Sequence, residues 1–109
     1  MAIVQSQTTQ PGSVTNTAIG SYLTDATAAA IVITTGFSPR YVRVCNETSG
    51  DLYEWFYGMA SAEALKQVAA GTRSIITTLG ITSSATGFTI GLDLDVNVIN
   101  EQLSWMAIG

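Results

Sequence analysis

The sequence of 109 residues contains no histidine, one cysteine, two prolines and only four lysine and arginine residues. The missing histidine removes imidazole acid–base catalysis, the Ser-His-Asp triad and the commonest zinc ligand. Cys45 alone makes no internal disulfide, which fits a protein made and kept in a reducing cytoplasm. Four cations stand against eight carboxylates, for a net charge of −4. That balance argues against nucleic acid, whose binding is dominated by basic contacts to phosphate. No stretch approaches the roughly 18 consecutive apolar residues of a membrane-spanning helix. The segment MAIVQSQTTQPG lacks the cationic head and long apolar run of a secretory signal. Charged residues make up 11% of the chain, where soluble domains average about 25%. Hydrophobic residues make up 47%, too many for a disordered chain, and the length leaves no room for a second core.

What is present is mostly β-strand material. Residues 1–20 are rich in Gln, Ser, Thr and Gly with isolated apolar residues, and read as an extended N-terminal arm. Residues 21–109 read as one domain. Ile31 to Thr35 is β-branched throughout. Arg40 to Asn46 alternates, with Val42 and Val44 on one face and Tyr41, Arg43 and Cys45 on the other. The turn Glu47–Asp51 leads to Leu52–Tyr57, which completes a hairpin. Ala60 to Ala70, with Ser61 as a candidate cap and Gly71 as a candidate end, is the one helix-like piece, or equally a loop carrying one turn. Thr72 to Leu79 returns to strand composition. Phe88 to Val98 alternates for eleven residues; at about 3.3 Å each it would run about 36 Å, so a bend near Gly91 or Asp95 is expected. Glu101 to Ile108 closes the chain as a strand with Leu103, Trp105 and Ala107 on one face. Six or seven short strands at this spacing predict an all-β, antiparallel β-sandwich or barrel.

Few constellations carry chemistry. Asp93-x-Asp95-x-Asn97 opens like a calcium loop, but its sixth position is Val98 and its twelfth Ser104, where an EF-hand needs Gly and Glu. The eight carboxylates form no recognisable glycosidase pair, and no enzymatic activity, metal or cofactor is expected. Asn46-Glu47-Thr48 matches a glycosylation sequon, but beside Ser49-Gly50-Asp51 it reads as a tight turn. Tyr53, Trp55 and Tyr57 share one strand face. Such a row covers a core, anchors an interface or stacks on sugar rings. Arg40, Arg43 and Arg73 face either acids across the sheet, such as Glu47, Asp51 or Glu54, or acids on a neighbouring subunit. Low charge and abundant Thr, Ser and Ala suit a surface that lives against partners in a symmetric oligomer or lattice. The candidate partner interface comprises Ile3 and Val4 of the arm with Arg40, Arg43, Tyr53, Trp55 and Tyr57.

Two stretches carry a resemblance. GFSPRYVRVCNETSGDLYEWFYGMA and GFTIGLDLDVNVINEQLSWMAIG resemble small virion proteins of tailed bacteriophages over about residues 36–109. The shared pattern is a GF-x-PRYV-x-V strand, an ETSGD turn, a YEW strand and a closing GFTIG…W-x-A segment. More distantly, Pro39, Val42 and Val44 with Gly87, Phe88, Trp105, Ala107 and Gly109 are similar to the framework of the trimeric H-type lectin β-sandwich. No sugar-binding residue of that family maps onto this chain. The first resemblance implies a capsid decoration (cement) protein, homotrimeric, made in the bacterial cytoplasm and placed on the outer surface of the head against the major capsid protein. The second implies a carbohydrate-binding module of a tail or fibre, using Tyr53, Trp55, Tyr57 and acids near Asp93 and Asp95. A connector or tail-tube subunit is the third expectation.

Overall fold

The computed structural model describes residues 16–109. Eight strands form within them: β1 (Thr17–Leu23), β2 (Ile31–Thr34), β3 (Tyr41–Asn46), β4 (Leu52–Phe56), β5 (Glu63–Gln67), β6 (Arg73–Ser83), β7 (Gly87–Ile90) and β8 (Gln102–Ile108). All pair antiparallel, in the order β1-β8-β3-β4-β5-β6-β7-β2. The all-β antiparallel expectation therefore holds, with the ladder continuous through one sheet.

That sheet has to curl. Laid flat, eight strands about 4.8 Å apart would hold the outer two about 34 Å from each other. The chain from Leu23 to Ile31 joins those outer strands, and at about 3.5 Å per step its eight steps reach about 28 Å at most. The bend is visible in β6. The partner of Glu63 is Ile81 but that of Ala64 is Ile76, so residues 77–80 bulge out of the ladder. Leu79 and Ala62 take up left-handed conformations there, with φ of 60° and 67°. Gly80 donates to the Ala62 carbonyl (3.0 Å), and Gly91 donates to the Gly80 carbonyl (2.8 Å). A Cβ on Gly80 would lie 2.7 Å from the Ala62 oxygen, so this backbone crossing needs glycine. Arg73–Ile76 pairs with β5 before the bulge, and Ile81–Ser83 pairs with β7 after it.

The core lies inside the curl. Val42, Val44, Tyr53, Trp55, Ala64, Leu103 and Ala107 point inward from β3, β4, β5 and β8, against Ile31, Ile81, Phe88, Ile90 and Val96. Trp105 meets Phe88 edge-on, ring centroids 5.5 Å apart, and lies across Gly20, where a Cβ would come within 2.5 Å of its ring. The link 24–30 is tied down by side chains. Thr24 Oγ1 donates to the carbonyls of Val98 and Glu101, and Asn97 Nδ2 donates to the Ala29 carbonyl (2.8 Å).

Three expectations change. Residues 63–67, in the stretch expected to be a helix or a loop carrying one turn, form β5. The arm boundary at residue 20 falls inside β1, whose Thr17–Gly20 pair with Ile108–Trp105. Ile3 and Val4 lie outside the described residues. The long alternation of 88–98 does break at Gly91, after which residues 94–96 form a turn in place of a second strand half.

Candidate interaction surface

Because cross-strand partners project to the same side of a sheet, the pairing registers define the outer face of strands β1, β8, β3, β4, β5 and β6. One continuous row reads Ile19, Met106, Arg43, Glu54, Leu65, Ile75. A parallel row reads Ser21, Ser104, Cys45, Leu52, Gln67, Arg73. A third carries Ile108, Tyr41 and Phe56. Most of this face is apolar although it turns away from the core. Ile19, Phe56 and Ile75 are 76%, 45% and 55% exposed, and Ile19, Arg43, Cys45, Ser104 and Met106 line a shallow hollow on it. Scattered exposed apolar residues are ordinary, but a contiguous apolar sheet face marks an interaction surface.

The charged centre of the face is a neighbouring pair. Arg43 and Glu54 are directly opposite each other on β3 and β4. The Tyr41 hydroxyl donates to Glu54 Oε2 (2.8 Å). Burial, and then the hydrogen bond to the Glu54 carboxylate, raise the Tyr41 pKa.

The expected interface residues do not gather in one place. Tyr53 and Trp55 are core side chains, 0% and 5% exposed, and offer a partner nothing; this corrects their assignment to the interface. The alternation of β4 sends both inward, where the Trp55 indole donates to the Ala60 carbonyl (3.3 Å) and Tyr53 to that of Leu79 (3.1 Å). Tyr57 lies beyond the end of β4 and is exposed, with the Arg40 guanidinium 5.9 Å from its ring centroid. Both line a hollow with Asn16, Phe37 and Ser38. Arg43 alone belongs to the apolar outer face. The residues that sequence reasoning missed there are Ile19, Leu65, Ile75 and Met106. The parity of Ile75 and Met106 was readable within their expected strands, but Ile19 and Leu65 fell in segments not read as strands, and the registers that align all four were not readable.

Asp93 and Asp95 hold a cation of the chain's own. Lys66 Nζ, the only lysine, lies 2.9 Å from Asp93 Oδ1 and also contacts Asp95. Asp93 Oδ1 accepts the Asp95 backbone N–H (2.9 Å) as well, closing a turn. Burial works against the Lys66 charge, but the hydrogen bonds to Asp95 and Asp93 outweigh it and raise its pKa. Tyr53 is shifted up strongly, first by burial and then by the Asp93 carboxylate. No cluster of His, Cys, Asp or Glu suited to a metal occurs among the described residues.

Asn46 of the sequon is fully buried. Its Oδ1 accepts the backbone N–H groups of Thr48 (2.9 Å) and Ser49 (3.0 Å). Its Nδ2 donates to the Val96 carbonyl (2.9 Å) and to Glu101 Oε1 (2.8 Å). The amide is spent on holding the hairpin turn to the segment before β8, as the turn reading requires.

Comparison of the chain with protein-family models, with curated proteins and with solved structures returns no match.

Proposed function

We propose that this chain is a non-enzymatic structural subunit of a tailed-phage virion, a decoration protein that binds the assembled head shell and stabilises it. The observation that carries the reading is the wide, weakly charged apolar outer face of the sheet, on a body whose clustered acids are engaged by Lys66. Such a protein works by burying surface. It stabilises the shell because it binds assembled capsomers and not dissociated ones, and many copies on one lattice reinforce each other. The edges of the sheet supply further contact. Ile19 and Leu23 on β1 and Val32 on β2 are 76%, 65% and 74% exposed, and these are the outermost strands among the described residues. Ile3 and Val4, outside the described residues, remain part of the proposed contact.

The carbohydrate reading loses two of its three rings to the core, Tyr53 and Trp55, and its acids to Lys66. The deciding experiment adds purified protein to undecorated expanded shells and measures co-sedimentation and the shell melting temperature. Saturable binding with a raised melting temperature supports the proposal. Absence of shell binding, with Tyr57-dependent binding on a glycan array, would replace it with the carbohydrate reading.

A further inference from the structure

The charge order of the central outer row carries one step more. Read across the strands it runs Ile19, Met106, Arg43, Glu54, Leu65, Ile75. Its ends are apolar, its centre is one cation beside one anion, and the midpoint falls between β3 and β4. Turned end for end, the row is its own complement.

We propose that two copies of this chain pack these outer faces together about a two-fold axis running parallel to the strands between β3 and β4. This rests on reading the outer face as an assembly surface and is independent of whether the assembly decorates a phage head. Rotation about that axis places Arg43 against Glu54 of the partner subunit and Glu54 against Arg43 of the partner subunit. Leu65 then meets the partner's Met106, and Ile75 meets the partner's Ile19. In the next row Cys45 meets the partner's Leu52. A two-fold axis along the row would instead set each residue against its own copy, Arg43 on Arg43 of the partner subunit and Glu54 on Glu54 of the partner subunit. Like charges removed from water together are repelled, so the central pair selects one arrangement and rejects the other.

Size and shape agree. Six strands about 4.8 Å apart, averaging about 19 Å in length, give a face of about 450 Å² before side-chain relief is counted. That is a little over half of the roughly 800 Å² per partner in a standard interface, with the side chains of the three rows adding the relief. Twisted sheets pack face to face at about −30° with about 10 Å between them, a separation the medium-sized side chains of these rows fill. Capsid protein is the competing occupant, and the test separates the two because it contains none.

The experiment is sedimentation equilibrium of the whole chain at micromolar concentration, on wild type and two charge reversals. Wild type is expected at twice the 11.4 kDa chain mass. R43E puts two acidic groups at the centre of each face, and E54R puts two basic ones there. Each alone is expected to weaken pairing at least about a hundredfold, since apposed like charges cost several kcal/mol. Mixed in equal amounts, they are expected to recover a complex of two chains, one of each kind. Far-UV circular dichroism checks the fold of both, and Ile75→Lys, away from the charge pair, gives a second disruption. A wild-type monomer, a trimer, or a dimer indifferent to all three substitutions overturns the proposal. A wild-type dimer uses this face up, so its contact with a shell would run through the edge residues Leu23 and Val32. Failure of shell binding by the dimer would sink the decoration reading while leaving the pairing intact.

Discussion

Along β3 and β4 the inward side chains Val42, Val44, Tyr53 and Trp55 are no more than 5% exposed. The outward ones, Tyr41, Cys45, Leu52 and Phe56, are nearly as apolar, and only Arg43 and Glu54 break the series. Both faces thus carry core-like residues, yet one is covered by the chain's own β2, β7 and β6 while the other is turned outward. A sheet that needs only to fold alternates apolar and polar residues. Tyr41 and Phe56 pack against each other on that second face, ring centroids 5.4 Å apart, but no layer of this chain covers it, which is why it is the candidate interaction surface.

Substitutions should separate the two faces sharply. The largest effect belongs inside: Phe88→Ala, which empties the space against Trp105, is expected to cost about 3–5 kcal/mol in urea unfolding. A stability loss under 1 kcal/mol would show that the curl is loosely packed. Next comes Asn46→Ala, expected to cost about 2–4 kcal/mol because the backbone groups of Thr48, Ser49 and Val96 lose their partner.

The third prediction concerns pH. The pKa values of Lys66 and Tyr53 are both raised by folding. Each group's contribution is therefore complete below its unfolded value, near about 10 for both, and is lost as pH rises through the folded value. Stability should be flat through neutral pH and fall above about pH 10. Lys66→Met should flatten that fall and cost about 1–2 kcal/mol at neutral pH by leaving two aspartates without their cation. A fall of equal steepness in Lys66→Met would leave the alkaline loss to other groups.

The smallest folding effect belongs outside. Phe56→Ser and Ile75→Thr should each change the unfolding free energy of the monomer by about 0.5 kcal/mol or less. A core-sized loss from either, measured on dilute monomer, would erase the distinction between the faces.

Much of the inner face was legible in the sequence. The alternations of 40–46 and 52–57 and the shared face of Leu103, Trp105 and Ala107 follow from period two alone, and a break at Gly91 or Asp95 follows from the length of the last alternation. β5 was not legible. Ala-Glu-Ala-Leu-Lys-Gln is good helix-forming composition, and only pairing between β4 and β6 makes it a strand, tertiary context overriding local propensity. β1 was hidden for a related reason: it exposes Ile19 and Leu23, so no buried stripe announces it. The Lys66 clamp joins residues 27 positions apart in sequence, and no local pattern links a lysine to two aspartates across that distance. The outer rows were the least visible, because they exist only once five registers are fixed.

The pairing of β1 with β8 and of β2 with β7 also sets a timetable. Thr24 bonds to Glu101, 77 positions later in the sequence, so the strands that leave the ribosome first wait for those made last. Closing such distant contacts is slow. While translation is under way, the six-strand face lacks β8 and the charge row is cut between Ile19 and Arg43. A nascent or truncated chain accordingly lacks the complete outer face, so the proposed pairing of that face would be open only to finished molecules.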